Sequence, residues 1–283
     1  DTKLPSTYLS ASAEFTLDHS ALVYPYRHVE SHEGDDSAGI TLATMRYELA
    51  LRYYVAGLKM ANSPYAFHTI GSTMAVHAVH YAAVRGFPRR SAGEDFYLLN
   101  KLAKVGKVHE LDESHACQAI EIMSRRSDRV PFGTGAAVNR IASLYQPATD
   151  YLYYHPENLI LLQCWLSRLP ELWASRRASL DADEFSALLP VDADGTALVK
   201  ALKAIGTEKA LEHALRQSKT IDQYQRQFHT WFDAFRTLKL IHELRDSQLP
   251  SINLEQLGEH PVFEKLADQD NKLQQLVYLL AGN

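Results

Sequence analysis

The chain has 283 residues, 46% of them hydrophobic and 22% charged, with a formal net charge of −5. This length suits one large domain or two modest ones with ample core, and the composition is that of an ordinary soluble globular protein. The acidic balance argues against a general nucleic-acid binder, and the absence of both a membrane-length apolar run and a signal-peptide pattern points to a cytoplasmic protein.

The chain opens Asp1-Thr2-Lys3-Leu4-Pro5 and runs into Tyr8-Leu9. Residues Ser20 to Tyr26 are apolar and aromatic and predict a strand; Arg27 to Asp36 is a polar, acidic link. His28 and His32 in that link have metal-pair spacing only on a helix, and Gly34-Asp35-Asp36 predicts a loop instead. Ile40 to Met60 reads as one long helix. Ile40, Met45, Leu49, Tyr53 and Leu58 form its apolar face, and Arg46, Glu48, Arg52 and Lys59 its polar one. Its length suits the back of a sheet, and Asn62-Ser63-Pro64 ends it.

The apolar run Tyr65 to Ile70 meets Gly71-Ser72 and resumes at Met74 to Val76, which predicts strands interrupted where backbone approaches a ligand closely. His68 precedes this turn and is a candidate for the pocket wall with Gly71 and Ser72. His77 and His80, three apart, lack a third metal ligand nearby and read as wall or backbone-bonded histidines. A short helical pattern ends at Gly86-Phe87-Pro88. Ser91-Ala92-Gly93 then opens an amphipathic helix through Phe96, Leu99 and Leu102, with Glu94 and Asp95 in its first turn. A carboxylate held rigidly there suits a general base, so Glu94 and Asp95 are the candidate catalytic acids.

Lys107 to Glu110 and Cys117 to Met123 read as two short strands, followed by SRRSDRVPFGTG from Ser124 to Gly135. Arginines in such a loop clamp phosphate oxygens, which makes Arg125, Arg126 and Arg129 candidate phosphate ligands. From about residue 145 strand signals are scarce. Helices are predicted over 159–169, 184–189, 198–205, 208–217, 221–244 and 263–280, with aromatics such as Trp165, Phe228 and Phe232 read as core. Asp181-Ala182-Asp183 and Asp192-Ala193-Asp194 follow no strand-like run and read as helix-start or turn acids.

The order Gly71-Ser72-Thr73-Met74, Gly86-Phe87-Pro88, Gly93-Glu94-Asp95 resembles the acceptor-side half of the family 2 glycosyltransferases of GT-A fold, over Asp1 to about Arg140. The resemblance implies an α/β fold: residues 1–144 as the acceptor-side part of a nucleotide-sugar transferase domain, and 145–283 as a helical C-terminal domain. It implies an inverting glycosyltransferase with Asp95 as base, a nucleotide-sugar donor, and an arginine loop closing over the donor diphosphate. Asp1 looks like the last residue of the family's Asp-x-Asp motif and would hold Mg2+ or Mn2+. A preceding segment or a partner chain is then expected to complete the donor site. The alternative expectation is a non-catalytic interaction protein that keeps a transferase-like scaffold.

Overall fold

The structure, a computed structural model, describes residues 2–16, 18–30, 37–114, 116–128, 131, 133–186 and 195–281. It is a mixed α/β chain with two small three-stranded sheets. Two compact units are present: 1–55 with 67–151 and 271–283, and 56–66 with 152–270. The second unit thus takes in 56–66, and 271–283 belongs with the first. Among the described residues, no helix is long and apolar enough to cross a membrane.

In the first unit, β1 (Thr2–Lys3) and α1 (Tyr8–Ala11) precede β2 (His19–Val23), β3 (Tyr26–Val29) and α2 (Ser37–Met60). Then come β4 (Met74–Val76), α3 (Ala78–Ala83), α4 (Glu94–Leu102), β5 (Lys107–Glu110), β6 (Ile120–Met123), α5 (Thr134–Ala142) and α6 (Pro147–Asp150). All five residues of β2 are buried, as a central strand requires. It pairs antiparallel with β4, Ala21 opposite Val76, and parallel with β5, Val23 opposite Glu110. In the other sheet β6 is central, parallel to β3 and antiparallel to β1, with Ile122 opposite both His28 and Thr2. The predicted single strand from Ser20 to Tyr26 is split because Pro25 offers no N–H and its carbonyl accepts from Ile120, which passes the chain from one sheet to the other.

Two segments differ from the pattern their sequence predicts. Residues Tyr65 to Ile70 form no strand, because their backbone donors are taken up locally and by side chains. The Tyr65 N–H goes to Ser63 Oγ, and the His68 N–H goes to Glu110 Oε1 at 2.8 Å. Gly71 starts a single 3-10 turn. Second, Arg46, Glu48 and Arg52 are not a solvent-facing stripe of α2; all three are buried. Glu48 Oε1 accepts from Arg52 Nε at 2.7 Å, and Arg52 Nη2 donates to the Tyr26 carbonyl at 2.8 Å.

The second unit adds α7 (Pro156–Ser167), α8 (Leu169–Ala174), α9 (Ala182–Ser186), α10 (Gly195–Ala204) and α11 (Thr207–Gln217). These are followed by α12 (Ile221–Trp231), α13 (Ala234–Ser247), α14 (Leu254–Glu259) and α15 (Val262–Ala267); α16 (Lys272–Leu280) lies in the first unit. The predicted helix over 221–244 is broken at Asp233, whose side chain accepts from the Arg236 N–H and starts a new helix. Trp165, Phe228 and Phe232 are fully buried and in ring contact, so these aromatics are core. Asp181 accepts from the Asp183 N–H at the start of α9, a helix-start acid as expected; Asp192-Ala193-Asp194 lies outside the described residues.

Neutral histidines are built into this unit. His155 Nδ1 accepts from the Glu157 N–H and His260 Nδ1 from the Val262 N–H, each at 3.2 Å, and burial lowers both pKa values. Burial holds His229 down at about 4, against an ordinary 6.5. The folded state therefore favours neutral imidazole: this contribution is complete above about pH 6.5 and is lost as the pH falls toward 4. For His229 alone the loss amounts to roughly 3 kcal/mol by pH 4. His229→Phe is expected to flatten the fall in unfolding free energy between these pH values, measured by urea titration; an unchanged slope excludes this origin.

Candidate functional site

In the first unit a cavity of about 770 Å3 opens at the place where the candidate acids sit. One wall is the α2 face Thr44, Tyr47 and Leu51, at the i, i+3, i+7 spacing of one helical side. Opposite are the turn at Gly71-Ser72 and the start of α4. The end of β6, the following loop at Arg125 and Ser127, and the start of α5 complete it. Thr2 and His28 reach it from β1 and β3.

Asp95 is fixed from two sides. Its Oδ1 accepts from the Phe96 N–H at 2.7 Å, and its Oδ2 from the Gly71 N–H at 3.0 Å. The helix reaches this point from Gly93, which caps it at φ +70°, in the left-handed region where glycine carries no side-chain penalty. Gly71 has no such constraint: an added Cβ would stand 3.5 Å from Asp95, ordinary van der Waals contact. Its backbone N–H is what the site uses.

A helix N-terminus and two amide donors predict a lowered pKa for Asp95, but the shift runs the other way. Burial pushes the carboxyl up, Glu94's charge adds to it, and the Phe96 and Gly71 hydrogen bonds oppose it without winning. The carboxylate that results is more basic than an exposed aspartate. Tyr47, facing the same cavity, is also pushed up, mainly by burial and further by the Asp95 charge, and its hydroxyl is bonded to Thr134. A protonated phenol and a basic carboxylate thus share one space.

Glu94, Asp95, Gly71, Ser72 and Arg125 all line the cavity. Arg126 is exposed and is not among its lining residues, and Arg129 and Asp1 lie outside the described residues. His68 does not line it either: its ring is buried, with Nδ1 on Glu110 Oε1 at 2.6 Å. His28 is on a strand, where four-residue spacing to His32 brings no shared face, and His32 is not among the described residues. His28, Tyr47, Thr44 and Thr134 line the cavity without having been expected there. The Thr44-Tyr47-Leu51 spacing was the available signal for α2, and nothing local marks His28. Among the described residues, no group of three His, Cys, Asp or Glu is arranged to hold a metal ion.

No family model, curated protein or solved structure matches the chain.

The wall carrying His28 rests on Glu48. Its Oε2 accepts both the backbone N–H of His28 at 3.2 Å and ring Nδ1 at 2.8 Å, while Oε1 takes Arg52. Burial opposes the charged form, but the His28 hydrogen bond and the Arg52 charge hold the carboxyl at about 2. Glu48→Ala leaves a guanidinium buried beside an unheld strand, so a loss of about 3–5 kcal/mol is expected in urea unfolding. The double variant Glu48→Leu, Arg52→Met is expected to recover most of it. A Glu48→Ala loss below about 1 kcal/mol, the range of exposed pairs, would count against the pair as a structural anchor.

Proposed function

We propose that this chain is an inverting glycosyltransferase, or the acceptor-side part of one, moving a sugar from a nucleotide-sugar to an acceptor hydroxyl. The observation that carries the reading is Asp95: a carboxylate immobilised by two backbone amides, made more basic by burial, on the wall of a cavity that also holds Arg125. The ordered motifs from Gly71 to Asp95 support it from the sequence side.

In this reading Asp95 takes the proton of the acceptor hydroxyl as that oxygen bonds to the anomeric carbon. The bond from that carbon to the diphosphate oxygen breaks, and the diphosphate leaves with the electron pair. Proton transfer is concerted with attack, so a base with a moderately raised pKa is sufficient. The negative charge growing on the diphosphate calls for a cation, and Arg125, on the loop after β6, is the described side chain suited to it. Tyr47, kept protonated, is a donor available to the sugar or acceptor. Mg2+ or Mn2+ belongs to the proposal as charge neutralisation for the donor phosphates. The described side chains do not assemble a site for it.

The test is a panel of nucleotide-sugars scored by thermal stabilisation with and without manganese, then turnover of any that bind. Asp95→Asn keeps one carbonyl acceptor but turns an amide NH2 toward a backbone N–H, so a stability loss of about 1 kcal/mol is expected. Turnover is expected to fall by a factor on the order of 100 or more with donor binding retained. Undiminished turnover removes Asp95 as the base.

A further inference from the structure

Two Glu–His pairs flank the ring of Tyr26 in the first unit. His28 stands edge-on at 5.7 Å and His68 at 5.2 Å, and each is held at Nδ1 by a glutamate. Their surroundings differ. His68 Nε2 is sealed off, with no hydrogen-bond partner, and its ring does not reach the cavity. The His28 side chain is only 2% exposed, yet it lines the cavity. Its opening is to the cavity rather than to the outer surface.

The hydrogen on Nδ1 of His28 follows from Glu48. That carboxylate is ionised and offers only acceptors, so the hydrogen between the two groups is on Nδ1. With that hydrogen on Nδ1, Nε2 is the ring nitrogen left for another partner, and among the described residues no hydrogen bond reaches it. The backbone N–H of His28 ends on the same carboxylate oxygen, and Arg52 fixes the other oxygen, so ring and tautomer are held together. An oriented ring nitrogen with no protein partner, on a residue of the cavity wall, is matched by a ligand hydroxyl.

We infer that His28 is a ligand-binding residue of this cavity: Nε2 accepts a hydrogen bond from a sugar hydroxyl, and Glu48 is the positioning residue that fixes the tautomer. The inference rests on the transferase reading for the class of ligand, but not for the tautomer. The hydroxyl belongs either to the sugar of the donor or to the acceptor. Arg125, on the loop that follows β6, lines the same cavity as His28, whose strand pairs with β6 at Ile122, and this favours the donor sugar.

The experiment uses the 283-residue chain labelled with 15N-histidine, with His28→Gln identifying the His28 resonances. In the free protein at pH 7.5 the expected spectrum is Nδ1 protonated and Nε2 bare. UDP-glucose, UDP-N-acetylglucosamine and GDP-mannose are then added, with UDP and GDP as sugar-free controls and free monosaccharides as acceptors. An Nε2 shift with a sugar nucleotide but not with its nucleoside diphosphate supports the inference and names the donor sugar. A shift only with a free monosaccharide supports it and names the acceptor. His28→Ala is expected to weaken the effective probe about tenfold, with His28→Gln recovering part of this through its carbonyl oxygen. UDP or GDP affinity should be unchanged in both variants. A protonated Nε2 in the free protein overturns the inference, as does an unmoved Nε2 with a probe that binds; the second result leaves Asp95 and the transferase reading intact. If no probe binds, the sugar assignment falls together with that reading.

Discussion

The buried carboxylate of Glu48 is the constraint on which the candidate site depends. An unpaired charge inside a protein is too costly to persist, so Glu48 requires partners, and its partners come from separate parts of the first unit. Arg52, one turn along α2, neutralises it and reaches on to the Tyr26 carbonyl, while His28 meets it with both backbone and ring. One carboxylate thereby joins helix to sheet with a fixed rotation of α2. That rotation places Thr44, Tyr47 and Leu51 on the cavity wall. The apolar core alone would tolerate small rotations of the helix; a charge-assisted network with defined directions does not.

Hydrogen bonding and burial compete at Asp95, and the outcome sets its chemistry. The helix start and the amides of Phe96 and Gly71 favour the ionised form. Burial among the cavity walls and the charge of the neighbouring Glu94 favour the proton. Burial wins while the two amides keep the carboxylate in place. Position and basicity therefore have separate causes: the amides determine where the oxygens are, and the cavity walls determine how strongly they hold a proton.

That separation also explains what was legible in the sequence. The helix opening at Gly93-Glu94-Asp95 and the strand at Lys107–Glu110 were readable because period, glycine and charge all act within a few residues. The tail end of the Cys117–Met123 run was likewise readable as β6. The strand expected at Tyr65–Ile70 failed because an apolar run shows what is buried, not where its N–H groups go. Those of His68 and Gly71 go to Glu110 and Asp95, 42 and 24 residues away. The stripe Arg46-Glu48-Arg52 failed for a related reason. Charged side chains at helical spacing normally face water, and only the long-range pairing with His28 and Tyr26 makes their burial possible.

The two histidines beside Tyr26 carry this argument to its last step. Residue type, glutamate partner and aromatic neighbour are the same for both, so neither sequence nor first contacts distinguish them. His68, just before the glycine turn, was the more conspicuous candidate, but it is enclosed by the chain and works as a brace holding the turn to β5. His28, in a stretch that read as a polar link, opens onto the cavity. A histidine whose second nitrogen meets only protein can stabilise a fold, whereas one whose second nitrogen meets solvent-accessible space can also receive a ligand. Access to the cavity is therefore what separates their roles, and access is a property of the assembled walls of α2, β3, β6 and the Gly71 turn taken together.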